Sequence, residues 1–235
     1  MNTWSKRGIC IFLALCMMFG GLGITAFAES RATPPIIHPF PDVWPHTWYT
    51  SAALEMHERN IMLGIRPATA PSHAFWTYFL PSADMTRAMA VATLFRMEHG
   101  RVANSEDSRD NPFYDVPENA WFTPYVSWAY QNDIINGASE MYFAPRNPVT
   151  REAFVTMLHR YAQPDFVSGG GMVHFFPDAP QRSSWANDGL NWAIARGLLR
   201  GNGGRLNAQE VASRAECAVI LQRFIAQYPI GSVES

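Results

Sequence analysis

The chain has 235 residues, of which 48% are hydrophobic, and its 18 basic and 20 acidic residues give a net charge of −2. This mildly acidic balance argues against a nucleic-acid-binding protein, because binding a phosphate backbone requires a basic face. Lys6 is the only lysine. If it is removed with an export signal, catalysis through a lysine nucleophile or Schiff base is excluded.

Residues 1–28 are typical of a secretory signal peptide. Lys6 and Arg7 give a positive start, Gly8–Thr25 is an apolar run, and Ala26-Phe27-Ala28 has the small-x-small pattern of a cleavage site. We therefore expect an exported protein that begins after residue 28. A retained membrane anchor is the alternative, although the apolar run is short for a membrane span.

Cleavage would change both the charge and the cysteine content. Without Lys6 and Arg7, sixteen arginines face twenty acids, a net charge of about −4. Cys10 and Cys16 leave with the signal, so Cys217 remains alone. An exported chain with one thiol has no disulfide framework, and packing must hold its fold.

The rest of the chain repeats one pattern three times. Each copy has an aspartate, then a tryptophan, a glycine sixteen residues after the tryptophan, and a hydroxyl residue followed by arginine. The landmarks are Asp42, Trp48, Gly64 and Thr86-Arg87; Asp115, Trp121, Gly137 and Thr150-Arg151; and Asp178, Trp185, Gly201 and Ser213-Arg214. Such a fixed spacing is typical of a repeat protein.

In chain order, a proline-rich linker over 29–38 leads into copies at 39–101, 112–163 and 175–228. The first copy carries an insertion at about 66–78. Each copy predicts two helices. The first should end at a residue that tolerates the left-handed conformation, namely Asn60, Asp133 or Gly197.

The second helix of each copy should begin after a hydroxyl N-cap at Thr86, Thr150 or Ser213. Ser213 with Glu216 also predicts a capping box, which Met89 and Ala153 exclude from the other two copies. Apolar residues behind these caps follow helical spacing. One helix pair cannot bury its own apolar face, so the copies should pack on one another.

The order F-x-D, W, G-I-I-x-G and T-R-A-E, in three copies over about Pro39–Gln227, resembles the S-layer homology (SLH) module of bacterial surface proteins. The resemblance implies an all-α fold of three helical-hairpin repeats, packed as a pseudo-threefold bundle with grooves between neighbours. The second copy keeps most of the pattern, which favours a groove beside it.

The arginine after each N-cap is the first candidate for chemistry. A helix start presents unpaired N–H groups and a positive dipole end, which favour an anion. A guanidinium adds a forked donor suited to a carboxylate. An ion pair with an acid of the protein is the alternative, and the residues alone leave both open.

The recurrent aspartates and tryptophans also have two interpretations each. An aspartate before a helix favours capping or turn formation, and a tryptophan at a helix start is more often part of the core than a platform for a sugar ring. The SLH resemblance implies that arginine, aspartate and tryptophan hold an acidic cell-wall glycan, often one with a ketal-linked pyruvate. The expected ligand-binding residues are Asp42, Trp48, Gly64, Arg87, Asp115, Trp121, Gly137, Arg151, Asp178, Trp185, Gly201 and Arg214.

Enzyme motifs are weak. His57-Glu58 is followed by Ile61 where a zinc protease needs its second histidine, and the remaining histidines lack ligand spacing. Cys217 aligns with Ala90 and Phe154, which indicates a packing position. We therefore expect no catalytic residue, metal or cofactor.

The sequence predicts a non-catalytic module at the bacterial surface that binds an acidic secondary cell-wall polysaccharide or a peptidoglycan-linked polymer. Another surface protein is a further partner, while nucleic acid and, after signal cleavage, membrane are not expected. One alternative is a wall-remodelling hydrolase, although the acidic cluster Glu106, Asp107 and Asp110 lies in a polar linker that is a poor support for a catalytic pair. The other is a self-assembling surface-layer subunit.

Overall fold

The described residues form six α-helices, two from each copy of the repeat. The computed structural model describes residues 39–66, 77–107, 110–164 and 171–228, all within one compact unit, Ile37–Ser235. The helices are α1 (Thr50–Glu58), α2 (Arg87–His99), α3 (Thr123–Gln131), α4 (Arg151–Ala162), α5 (Asn187–Ala195) and α6 (Arg214–Ile225). Short 3-10 helices occupy Ser105–Asp107, Met172–Phe175, Ala179–Gln181 and Ser184–Ala186. The described residues contain isolated β-bridges and no strand, which confirms the all-α class.

Several expectations lie outside the described residues. The signal peptide, the linker over 29–38 and most of the insertion, residues 67–76, belong to this group. Within the part of the chain that the structure describes, no helix has the length and apolarity that a membrane span requires.

The first helix of each copy ends where the sequence predicted. Asn60, Asp133 and Gly197 have φ values of 58°, 56° and 64°, all in the left-handed region. The backbone N–H groups of the following residues, Ile61, Ile134 and Leu198, then donate to carbonyls in the last turn of the helix they have left. The chain thus reverses toward the core within one residue.

The caps of the second helices are confirmed as well. Thr86, Thr150 and Ser213 each accept a hydrogen bond on the side-chain oxygen from the backbone N–H three residues on. Of these three caps, only Ser213 forms a complete capping box, because a carboxylate oxygen of Glu216 accepts a hydrogen bond from the Ser213 backbone N–H at 2.8 Å.

The main helix contacts run between copies and not within one copy. α3 packs on α2, α5 packs on α4, and α1 packs on α6, so each first helix lies against the second helix of the preceding copy. The segment that joins the two helices of a copy is long, residues 59–86 in the first copy. The two helices of one copy therefore need not pack directly on each other. Because α1 and α6 come from opposite ends of the unit, this packing closes the three copies into a ring.

Backbone hydrogen bonds before the second helices close a second ring. The Met85 N–H donates to the Ala212 carbonyl at 2.9 Å, the Ala212 N–H to Val149 at 2.9 Å, and the Val149 N–H to Met85 at 2.7 Å. Each copy therefore gives one bond to a neighbour and receives one from the other. This cyclic pattern is the pseudo-threefold arrangement that the repeat predicts.

Candidate functional site: three grooves between the copies

The recurrent glycines are required by a close approach to the phenylalanine of the F-x-D motif. An ideal Cβ would lie 2.8 Å from the Phe40 ring at Gly64, 2.7 Å from Phe113 at Gly137, and 2.5 Å from Phe176 at Gly201. No side chain fits at these distances, and Gly137 also has a φ of +83°. The glycines therefore let the backbone that borders each groove lie directly on an aromatic ring.

The recurrent aspartates bind backbone within their own copy. Both carboxylate oxygens of Asp115 accept N–H groups, from Phe143 at 2.8 Å and Ala144 at 2.7 Å. Asp42 binds Phe79 and Leu80 in the same way, and Asp178 binds Leu206 and Asn207. Burial alone would raise the pKa of Asp178, but these N–H groups lower it below its ordinary value, with a smaller contribution from Arg205.

This geometry gives the three aspartates a structural role, and their direct binding of a ligand stays a prediction. They line none of the three grooves described below. Their interpretation as turn-forming residues is nearer the observed arrangement, although the turn they hold lies 28 to 38 residues further along the chain.

The N-termini of the second helices were expected to favour an anion, but protein carbonyls already occupy their N–H groups. The first two N–H groups of α2, from Arg87 and Ala88, donate to the carbonyls of Asn147 and Pro145 at 3.0 Å. α4 and α6 use loops of the third and first copies in the same way. Since the N-cap hydroxyl takes the third N–H group, these helix starts offer no backbone donor to an anion.

The recurrent arginines bridge neighbouring copies in a ring. Arg87 Nε donates to the Phe143 carbonyl at 2.8 Å, Arg151 Nε to Leu206 at 3.3 Å, and Arg214 Nε to Phe79 at 2.6 Å. Each acceptor belongs to a residue whose N–H is held by the aspartate of that neighbouring copy. The recurrent arginine of one copy therefore lines the groove that contains the glycine of the next copy.

Three grooves with equivalent lining residues lie at the boundaries between copies. Groove 1 includes Gly64, Met89, Arg96, Trp121 and Arg214; groove 2 includes Arg87, Gly137, Ala153, Arg160 and Trp185; groove 3 includes Trp48, Arg151, Gly201, Glu216 and Arg223. Their cavity volumes are about 320, 430 and 400 Å³. In each groove, the glycine and the second helix belong to one copy and the tryptophan belongs to the following copy. The recurrent arginine (Arg214, Arg87 or Arg151), called the inner arginine below, comes from the remaining copy.

The recurrent tryptophans lie at the surface and not in the core. Trp48, Trp121 and Trp185 are 64%, 55% and 55% exposed. Core packing, the more frequent role for a tryptophan at a helix start, is therefore wrong for all three. Their rings are accessible from the grooves, as stacking on a sugar requires.

Sequence reasoning missed a second arginine in every groove. Arg96, Arg160 and Arg223 each follow the recurrent arginine by nine residues. Arg160 and Arg223 donate to the Ile134 and Leu198 carbonyls at 3.5 and 2.9 Å, whereas Arg96 reaches the Tyr125 hydroxyl at 3.4 Å. The identical spacing in all three copies was a signal that could have found them.

The inner arginines differ in their remaining contacts. In groove 3, Arg151 Nη1 binds Glu216 Oε1 at 2.6 Å and Nη2 binds the Arg200 carbonyl at 3.0 Å. In groove 1, Arg214 meets the Leu63 carbonyl at 3.2 Å and Met89 Sδ at 3.8 Å.

Groove 2 leaves its inner arginine open. The two terminal nitrogens of Arg87 have no hydrogen-bond partner among the described residues, and Nε alone donates a hydrogen bond, while the guanidinium carbon lies 4.8 Å from the centre of the Phe143 ring. Burial lowers the pKa of Arg87 against a smaller opposing effect of Asp115, and burial lowers that of Arg214 to about 10. Both groups remain cationic at neutral pH.

Among the described residues, the other side chains considered for catalysis or metal binding have structural roles. Cys217 is fully buried, and burial raises the pKa of its thiol. Asp107 is held by both terminal nitrogens of Arg101 at 2.6 Å. Across ranges 39–66, 77–107, 110–164 and 171–228, no group of three potential metal ligands comes together.

Comparison with known proteins matches two of the three copies to a family model. The model of the S-layer homology domain matches residues 112–155 and 175–218, which lie in the second and third copies. The first copy has the same aspartate contacts, left-handed helix end and groove.

Several relatives match part of the chain, including an endoglucanase and a surface-layer protein. An endoglucanase of Bacillus sp. (strain KSM-635) is 31% identical over 126 residues, 52% of this chain. The Surface-layer 125 kDa protein of Lysinibacillus sphaericus is 29% identical over 151 residues, 63% of this chain. Each match spans 12% of the relative's own length.

A solved structure also has a partial likeness. The undecaheme cytochrome from the S-layer of Carboxydothermus ferrireducens aligns with 76% of this chain and 29% of its own, at 15% identity and a TM-score of 0.33. A score this low supports no argument about the fold, which rests on the helices described above.

Proposed function

The chain carries S-layer homology domains, which are cell-wall-anchoring modules, and from this premise we propose that its grooves hold an acidic secondary cell-wall polysaccharide noncovalently. Cell-surface localisation follows from the same family. The proposal extends to an acidic group such as a ketal-linked pyruvate on the polymer. Another protein attached through this module is a further partner.

The single observation that carries the proposal is the composition of the grooves. Each one combines at least two arginine residues with an exposed tryptophan at the boundary between copies, and Arg200 is a third arginine in groove 3. A guanidinium fits a carboxylate as a forked donor, and an indole ring packs on the apolar face of a sugar. A negatively charged polysaccharide offers both groups to the same groove.

Binding without hydrolysis is favoured by the placement of the carboxylates. A glycosidase usually needs two carboxyl groups facing each other across the bond that is cleaved. Among the described residues that line the grooves, grooves 1 and 2 contain no Asp or Glu. Groove 3 contains Glu216 alone, and its two oxygens are bound to Arg151 and Ser213.

Sedimentation with isolated bacterial cell walls tests the function. We expect the full chain to pellet with walls that retain their secondary polymer and to stay soluble after acid extraction removes it. Binding should weaken between 0.05 and 0.5 M salt on the order of tenfold, because exposed charge interactions are screened.

The same experiment separates the alternatives. Release of soluble sugar or peptide fragments from the walls would favour a wall-remodelling hydrolase. Ordered assembly without walls would favour a surface-layer subunit, and equal pelleting with stripped walls would reject the polymer as the ligand.

A further inference from the structure

The three grooves differ at several lining positions, and the third residue of the second helix is the one that lies beside the recurrent arginine. That residue is Met89 in groove 1, Ala153 in groove 2 and Glu216 in groove 3. In groove 3, Arg151 Nη1 binds the Glu216 carboxylate at 2.6 Å. In groove 1, Arg214 Nη1 lies 3.8 Å from Met89 Sδ.

The methyl group of Ala153 cannot accept a hydrogen bond from Arg87. The terminal nitrogens of Arg87 therefore have unused donors, although the residue is partly buried. A ligand carboxylate that meets these donors would displace water and none of the described acceptors of the protein, so it gains charge-assisted hydrogen bonds. In groove 3 the same place is already taken by a carboxylate of the protein.

Glu216 is held firmly in that place. Its Oε2 accepts the Ser213 N–H at 2.8 Å and lies 3.0 Å from the Ser213 hydroxyl, while Oε1 faces Arg151. A ligand carboxylate would have to compete with an internal pair whose acid is fixed at two points.

A second, independent feature distinguishes groove 2. Glu152, 2% exposed, accepts the Ser183 N–H at 3.0 Å and the Ser183 hydroxyl at 2.7 Å. Ser183 precedes the 3-10 helix Ser184–Ala186, which carries Trp185. The corresponding residues of the other copies are Ala88 and Ala215, so this contact fixes the backbone beside the tryptophan of groove 2 alone.

We propose that the residue at this helix position sets the specificity of each groove, so that groove 2 takes the carboxylate-bearing sugar while Glu216 excludes it from groove 3. This inference rests on the proposed function and assigns the charged part of the ligand to Arg87, Arg160 and Trp185. Groove 1, where Arg214 has three partners, binds the charged sugar more weakly than groove 2.

Two matched substitutions test the assignment in the full chain. Ala153→Glu places in groove 2 the acid that groove 3 already has, and Glu216→Gln removes the negative charge from groove 3 while keeping a side-chain oxygen. The probe is N-acetylmuramic acid, and N-acetylglucosamine, which lacks its lactyl carboxylate, is the neutral control. Indole N–H signals of Trp48, Trp121 and Trp185, followed by NMR, report each groove separately.

In the unmodified protein, N-acetylmuramic acid should shift the Trp185 signal saturably, with N-acetylglucosamine at least about tenfold weaker. Ala153→Glu should remove this preference, and Glu216→Gln should create one at Trp48. Since Ala153→Glu completes a capping box with Thr150, its melting temperature should not fall, which separates lost binding from lost folding.

Three results would overturn the inference: a response at Trp48 equal to that at Trp185, an Ala153→Glu variant that still prefers the charged sugar, or no response at any of the three signals. Wall sedimentation distinguishes these failures from failure of the function. If the unmodified chain pellets only with polymer-bearing walls and Ala153→Glu pellets equally well, the function stands and the assignment of groove 2 falls.

Discussion

At the scale of single residues, the aspartates and the Nε atoms of the inner arginines have equivalent partners in all three copies. Each aspartate binds two successive N–H groups, and each inner arginine binds the carbonyl of the first of those residues in the next copy. Asp115, Phe143 and Arg87 thus form one continuous set of contacts. The aspartates contribute to the grooves by fixing the backbone that the arginines hold.

The glycines allow a direct test at this scale. Gly137→Ala should destabilise the protein by about 2–4 kcal/mol, since the new methyl group would overlap the Phe113 ring and the backbone has a left-handed φ. Gly203→Ala is the matched control, because φ is +58° there and no heavy atom lies within 4 Å of the added carbon. Urea unfolding should give about 1–2 kcal/mol for the control, and equal losses would refute the overlap.

At the scale of helices, the important contacts join α4 to α5 across the boundary between copies. The centre of the His159 ring on α4 lies 5.3 Å from that of the Trp192 ring on α5, and the His159 Nε2 atom is buried with no hydrogen-bond partner in the described part of the chain. Burial lowers the pKa of His159; Asp188 opposes the shift and Arg160 adds to it. The neutral imidazole is therefore the form that fits this boundary.

A pH dependence follows at the helix scale. With its folded-state pKa below the unfolded value of about 6.5, His159 binds a proton more readily when the chain unfolds. Its contribution is therefore present above about pH 6.5 and is lost as the pH falls below that value. Thermal unfolding from pH 7.5 to 5 should show a smaller decrease in melting temperature for His159→Phe than for the unmodified chain. Parallel curves would exclude His159 as the cause.

At the scale of the whole molecule, stability depends on closing the ring. α1 packs on α6, and the Met85, Val149 and Ala212 backbone bonds need all three copies at once. Every inner arginine also has its carbonyl partner in another copy. No copy is complete without both neighbours.

Truncation tests this closure. A chain that ends after residue 164 loses α5 and α6, which leaves α1 and α4 without their main partners. We expect it to lose near-ultraviolet circular dichroism and cooperative thermal unfolding, whereas the full chain should unfold in one transition. Removal of residues 1–28 keeps all three copies and serves as the control. Cooperative unfolding of the two-copy chain would contradict the ring.

Much of the fold could be predicted because its signals are local. Helix ends at Asn60 and Asp133 depend on the conformations that one residue tolerates, and caps at Thr150 and Ser213 depend on atoms three residues apart. The repeat itself requires only a comparison of the chain with its own sequence. The number of copies, the helices and the Ser213 capping box are therefore readable without a structure.

The candidate site was predicted in its residue types but not in its assembly. The partners of Arg151 lie 49 to 65 residues away, and those of Arg214 lie up to 151 residues away. Sequence spacing carries no information about contacts made at these separations. For this reason the occupied helix starts, the binding of the aspartates to backbone and the exposure of the tryptophans were decided by the tertiary structure.

The sequence by itself determined that one two-helix unit occurs three times, with an arginine after each cap. Only the tertiary structure decided that Arg87 shares a groove with Ala153 while Arg151 binds Glu216, because the two residues of each pair come from different copies that are brought together when the ring closes. A repeated sequence sets equivalent positions, and the packing of unlike neighbours then makes the three grooves chemically different.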